Sequence, residues 1–269
     1  MADLWVAAIL GVVEGLTEFL PVSSTGHLIV AGHLLGCSGE KMACFEVFIQ
    51  LGAILAVVVL YWRRFIGLIP KKGFSPSVYS GFDGARGIAL LILTTLPALV
   101  IGYFTHGLIK TYLFGPATVA WALFLGGVAI LLAERYKPES SAQDVGEMTY
   151  SQAFLIGLFQ CISMWPGVSR AAATIIGGLL CGLDRKSATE YSFLAAVPVM
   201  IAATSYDLMK TWKLLEASDF TFFAVGFVVS FVTAAAAVKT FITLVQRWSL
   251  APYAYYRIAI APLIYWSLR

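Results

Sequence analysis

EGLTEFLPVSSTGH, residues 14–27, carries two glutamates, two serines and a histidine through a chain that is otherwise strongly apolar. The 269 residues are 59% hydrophobic and 12% charged, with a mean hydropathy of +0.84, whereas soluble domains are about one quarter charged. The composition argues for a single polytopic membrane domain over residues 1–269. Lys and Arg are scattered between apolar segments rather than gathered into a patch, which speaks against a nucleic-acid partner. MADLWVAAIL has neither a basic n-region nor a small-residue cleavage site, so no cleaved signal peptide is expected. Cys37, Cys44, Cys161 and Cys181 lack metal-ligand spacing and read as small packing residues.

Around the opening motif, residues 4–36 are apolar but broken at Pro21 and the S-S-T-G run, and residues 152–181 are broken at Pro166-Gly167. Each half is too short to span a bilayer, which takes about 17 to 25 helical residues. A helix–loop–helix that enters the membrane and returns fits both stretches, and such loops persist only where protein or a water-filled cavity surrounds them. Six other stretches are long enough to cross, near 45–62, 87–104, 117–133, 191–208, 220–238 and 251–267, with kinks expected at Pro97 and Pro198. The expected fold is an all-α integral membrane protein of six transmembrane helices and two re-entrant hairpins.

The two interrupted segments align with each other: Gly11 with Gly157, Glu14 with Gln160 and, after a one-residue gap, Pro21 with Pro166 and Ser24 with Ser169. Further on, Glu46 meets Glu190. Each copy, about 1–135 and about 150–269, holds one hairpin and three spans, so the second is inverted relative to the first; paired broken helices in two such halves point to the binding site. With the N-terminus outside, Arg63, Arg64, Lys71, Lys72, Arg86, Arg135, Lys137, Arg185, Lys186, Lys239 and Arg247 face the cytoplasm, eleven cations. Lys41, Lys110, Lys210, Lys213 and Arg269 face outward, five, and Arg170 and Arg257 fall inside the apolar zone. That bias supports this orientation. The small-residue runs at 11–15, 32–36 and 178–182 suit internal packing or a dimer.

Within the motif, Gly11, Glu14, Gly15 and Glu18 share one helical stripe. Two unpaired carboxylates are costly to bury; a divalent cation between them, Mg²⁺ or Ca²⁺, removes the cost. Pro21 ends the helix, and Ser23, Ser24, Thr25 and Gly26 then offer hydroxyls and free N–H groups at a helix start, an anion-binding arrangement. His27, three residues after Ser24, is within reach of the same ligand or of the Ser24 hydroxyl. In the second tip, WPGVSRAAAT, Ser169, Arg170 and Thr174 are the phosphate-binding candidates, and the Arg170 fork matches phosphate oxygens. The inventory describes a site that breaks a P–O bond.

Over nearly its whole length the chain resembles the undecaprenyl-diphosphate phosphatases linked to bacitracin resistance. EGLTEFLPVSSTGH matches that family's first motif throughout; the second, PGxSRSGxT, reads PGVSRAAAT here, so Ala171 and Ala172 stand in place of Ser and Gly. The resemblance implies metal at Glu14 and Glu18, and catalysis or phosphate binding by Ser24, His27 and Arg170. It also implies a C55 isoprenyl diphosphate (undecaprenyl diphosphate) or related prenyl diphosphates as substrate, recycled for cell-wall synthesis. A bacterial inner-membrane, lipid-embedded homodimer with its site open to the periplasmic side completes the expectation. Either Ser24 attacks phosphorus with His27 as base, or a metal-activated water attacks while Ser24 holds phosphate. A lipid-phosphate transporter or flippase is the alternative, since inverted repeats and broken helices also build transporters.

Overall fold

The computed structural model describes residues 3–37, 39–69, 81–113, 115–212 and 215–267. Of the charges counted above, Lys71, Lys72, Lys213, Arg269 and the side chain of Lys110 lie outside the described residues. The chain folds as α1 (Leu4–Thr17), α2 (Ser24–Leu34), α3 (Glu40–Leu60), α4 (Trp62–Gly67), α5 (Gly84–Tyr112), α6 (Pro116–Tyr136), α7 (Tyr150–Ile162), α8 (Arg170–Leu180), α9 (Arg185–Thr211), α10 (Phe220–Val245) and α11 (Ala251–Ser267). Among the described residues there is no strand, only one isolated bridge between Ala142 and Leu183.

Five helices are long and apolar enough to cross a membrane, at Glu40–Leu60, Gly84–Thr105, Ala117–Tyr136, Arg185–Thr211 and Ala217–Val245. They coincide with five of the six stretches read from the sequence; the sixth, α11, has 17 residues and carries the buried Arg257. Their outward faces hold large apolar side chains such as Ile92, Leu96, Trp121, Val228 and Val232. In water that would be a liability, and in lipid it is the expected surface. α5 and α9 continue as helix through Pro97 and Pro198.

The interrupted segments break where expected. α1 stops short of Pro21, α2 starts at Ser24, α7 stops before Pro166 and α8 starts at Arg170. α1 packs on α10 and α7 packs on α5, and glycine makes both approaches possible. A β-carbon at Gly11 would lie 2.7 Å from the Gly226 carbonyl oxygen, and one at Gly157 would lie 2.7 Å from that of Thr94. The 11–15 run is therefore used inside the monomer. With no water to drive apolar helices together in lipid, such close backbone packing is a main source of cohesion. The two tips meet over a buried cluster in which Phe19 sets its edge against Phe193, ring centres 5.5 Å apart. All four cysteines are unpaired thiols.

Candidate active site

The two tips share one backbone device. Ser23 (φ 72°) and Ser169 (φ 74°) are the non-glycine residues with positive φ among those described. Each caps the helix behind it, accepting from Gly26 N (3.4 Å) and Ala172 N (3.2 Å) respectively. A left-handed serine carries about 1–3 kcal/mol of strain, and the hydroxyl cap offsets part of it. This geometry corrects the register read from sequence. The counterpart of Ser169 is Ser23, at a constant offset of 146 that also relates Leu4 to Tyr150 and Leu34 to Leu180. No gap is needed: Pro21 corresponds to Gly167, and Ser24 corresponds to Arg170.

That exchange places the chemistry. At the first position of α2, the Ser24 hydroxyl donates a very short hydrogen bond to Glu18 Oε2. At the matching position of α8, Arg170 Nη2 donates to Glu18 Oε1 at 3.2 Å and Nη1 to the Ser192 carbonyl at 3.1 Å. Its guanidinium carbon lies 5.4 Å from the Phe19 ring centre, and its Nε is buried without a protein partner. Glu18 thus joins a hydroxyl from one tip to a cation from the other. Ser169 Oγ adds a longer link to the Leu20 carbonyl at 3.4 Å.

A cavity of about 570 Å³ opens over this centre. Glu18, Ser23, Ser24, Thr25, Ser169 and Arg170 line its polar end, and Leu99, Tyr103, Val199 and Met200 from α5 and α9 line its apolar side. Most of the apolar wall thus comes from α5 and α9, the helices that run through Pro97 and Pro198. Glu14 lies behind this floor, fully buried, with neither carboxylate oxygen partnered by protein. A buried ionised carboxylate needs a counter-charge, so Glu14 beside Glu18 suits a bound divalent cation. Among the described residues no three His, Cys, Asp or Glu side chains form a ready-made cage. Such an ion would complete its shell from ligand oxygens or water, as Mg²⁺ commonly does.

Three of the expected residues stand elsewhere. His27 does not reach Ser24: Nδ1 sits 2.7 Å from the Ser23 carbonyl and Nε2 2.6 Å from the Tyr256 hydroxyl. Helical side chains lean toward the N-terminus, so the ring covers Ser23, one turn back, and lines a different cavity with Leu16, Trp248 and Tyr256. Thr174 is buried on the far side of α8, its hydroxyl bonded to the Arg170 carbonyl (2.9 Å) and to Ser192 Oγ (2.7 Å). It braces Arg170 rather than lining the cavity. Gly26 spends its N–H on the Ser23 cap. Ala171 and Ala172 are 0% and 1% exposed and lie in the main core, so the hydroxyl missing at 171 is not missing from the cavity.

Gln160 was paired with Glu14 in the sequence but given no role; it lines the cavity, donates to the Thr94 carbonyl at 3.1 Å and leaves its Oε1 unpartnered. An amide near the break of an apolar helix, at the position matching Glu14, was the available signal. Arg257 was placed in the apolar zone but given no role, and Tyr256 was missed, because α11 is distant in sequence and reaches the tips only in the folded bundle.

The fold and site together define a multi-pass membrane protein with an acid–serine–arginine centre enclosed by two helix-break tips. Residues 7–263 match the family model described as bacitracin resistance protein BacA. An undecaprenyl-diphosphatase of Maridesulfovibrio salexigens is 58% identical over 270 residues, covering 99% of this chain and 100% of that protein. One from Nitratidesulfovibrio vulgaris (strain DP4) is 58% identical over 268 residues, 100% of this chain and 99% of its own. One from Desulfovibrio desulfuricans is 54% identical over 268 residues, with the same coverage. The chain belongs to the BacA family.

Proposed function

We propose that this protein is a membrane undecaprenyl-diphosphatase that cleaves undecaprenyl diphosphate to undecaprenyl phosphate and inorganic phosphate. It thereby returns the lipid carrier to cell-wall synthesis and confers bacitracin resistance. The observation that carries the reading is the bridge Ser24–Glu18–Arg170 at the polar end of a cavity whose α5 and α9 walls are mainly apolar. The relatives' names supply the substrate.

Glu18, already holding the Ser24 hydroxyl, takes its proton as the serine oxygen attacks the terminal phosphorus. The P–O bond to the prenyl phosphate breaks, and that phosphate leaves with the bridging oxygen and its electron pair. Water then cleaves the phosphoseryl group, and the proton returns to Ser24. Arg170 balances the charge on the transferring group, with Nε still available beyond its contacts to Glu18 and Ser192. Ser23, Thr25 and Ser169 line the polar end where phosphate oxygens dock. A divalent cation at Glu14 and Glu18 would neutralise part of the diphosphate charge. The assignment makes Glu18 the base and leaves His27 to hold the turn.

The membrane arrangement follows from the same reading: six crossings and two re-entrant hairpins in inverted repeats, with the first hairpin opening to the periplasmic side of the inner membrane. The shared 146-residue offset and the paired capping serines support the repeats, and the excess of cations assigned inward supports the orientation. Purified protein in detergent is expected to release phosphate from prenyl diphosphates and to lose that activity in chelator. An inert wild type would refute the function. Impermeant thiol labelling of Ser24→Cys, in a background without the four native cysteines, is expected from the outside of intact cells. Labelling confined to inverted vesicles would reverse the orientation.

A further inference from the structure

Arg257, on α11, is the largest fully buried side chain among the described residues. Its guanidinium has five N–H donors, and each meets a backbone carbonyl. Nε donates to Leu123 (3.2 Å); Nη1 donates to Pro21 (3.1 Å) and Val168 (2.8 Å); Nη2 donates to Ala122 (3.1 Å) and Gly167 (3.0 Å). No carboxylate is among these partners.

The carbonyls are not a random set. Pro21 belongs to the first tip, Gly167 and Val168 belong to the second, and Ala122 and Leu123 belong to α6. Pro21 and Gly167 are counterparts at the 146-residue offset, so one guanidinium grips the same peptide in both tips. A trans peptide points its C=O and N–H in opposite directions. Fixing the Val168 carbonyl therefore fixes the Ser169 N–H, which sits at the turn opening α8. The guanidinium fits against α6 because residue 126 is glycine; a β-carbon there would overlap Nη2. Next along α11, the Tyr256 hydroxyl meets His27, whose other ring nitrogen meets the Ser23 carbonyl. Consecutive residues of one helix thus hold both tips from behind.

We propose that Arg257 is a positioning residue for phosphoryl transfer: it ties the two hairpin tips to each other and to α6, so that Ser24 and Arg170 face a single phosphate. The proposal rests on the phosphatase reading above. Lysine would keep the charge but has three donors at one point and cannot span carbonyls on three segments. A misplacement of about 1 Å between reacting groups costs about 100-fold in rate.

The test uses purified full-length wild type, Arg257→Lys and Gly126→Ala, the last displacing the guanidinium while leaving it in the chain. Each is assayed with farnesyl diphosphate for kcat and KM, and each is followed by hydrogen exchange of peptides covering 20–27 and 165–172. The expected result is a kcat lower by about 100-fold with KM changed less than about threefold, and faster exchange confined to the two tips. Should Arg257→Lys fail to fold, Gly126→Ala carries the same expectation. A variant with normal kcat, or exchange that quickens equally along α5, α9 and α10, overturns the clamp. A wild type that releases no phosphate refutes the phosphatase reading instead, and the exchange measurement still decides whether Arg257 holds the tips.

Discussion

The two hairpin tips use one backbone for two chemistries. Both have a left-handed serine, a hydroxyl cap and an 11-residue helix behind it. At the next position the first tip has Ser24 and the second has Arg170, and one turn before the break the first has Glu14 where the second has Gln160. The first tip therefore supplies a hydroxyl and carboxylates, and the second supplies a cation and a neutral amide. Facing each other, they make a centre in which a hydroxyl and a carboxylate of the first tip meet a cation of the second, joined at Glu18. A shared helix-break geometry provides paired helix starts; a few differing side chains make them complementary halves.

Exchanging the hydroxyl is the most severe way to break that division. Ser24→Ala is expected to lower turnover by at least about 10³-fold, about 4 kcal/mol of barrier, with Ser24→Thr retaining part of the activity. Acid-quenched turnover should show phosphate on the peptide carrying Ser24 in the wild type and none in the Ala variant. A loss of only about tenfold to a hundredfold, with no phosphopeptide, would transfer the attack to water.

On the opposite tip, Arg170→Lys preserves charge and loses the fork. Turnover is expected to fall about 100-fold, since hydrogen bonds to a charged group contribute about 1.5–3 kcal/mol. Normal kinetics in this variant would mean that charge alone matters there. Glu14→Gln makes the first tip resemble the second at that position. Most activity should be lost, and excess Mg²⁺ or Ca²⁺ should restore part of it if cation affinity is the defect; full activity in chelator would remove the metal from the site.

His27→Gln should have a smaller effect, about tenfold, because the ring braces Ser23 rather than serving Ser24. Tyr256→Phe should resemble it. A loss for His27→Gln as deep as that of Ser24→Ala, measured by kcat, would reinstate the histidine as base. The smallest effect belongs to the shared device itself. Ser23→Gly and Ser169→Gly each relieve a strained φ, worth about 1–3 kcal/mol, and lose a cap, which for glycine costs only a few tenths of a kcal/mol, so the net effect is modestly stabilising. Thermal unfolding should shift by only a few degrees in either variant, and a large loss in one alone would show that the tips are not mechanically equivalent.

Much of this organisation was legible along the chain. Pro21 and Pro166-Gly167 announced the helix breaks, S-S-T-G announced a capped helix start, and Gly11 announced the close approach that α10 makes. The register between the tips was misjudged by one residue because proline marks the break without fixing the cap. In the first tip Pro21 directly precedes Val22, whereas in the second Gly167 stands between Pro166 and Val168. Thr174 and His27 were placed at the site on proximity in sequence, yet each turns its polar atoms to a neighbour behind the tip.

The sequence by itself determined the apolar spans, the two interrupted helices and the presence of Glu14, Glu18, Ser24 and Arg170 near their ends. These follow from local physics: helix length against bilayer thickness, the missing proline N–H, the i to i+4 stripe. Only the tertiary structure decided that the Ser24 hydroxyl donates to Glu18, that Arg170 meets the same carboxylate, and that Arg257 binds both tips. Those contacts join residues 6, 152 and up to 236 positions apart. The left-handed turns at Ser23 and Ser169 and the packing of α11 behind them set the directions of the side chains, and spacing along a helix carries no information about either.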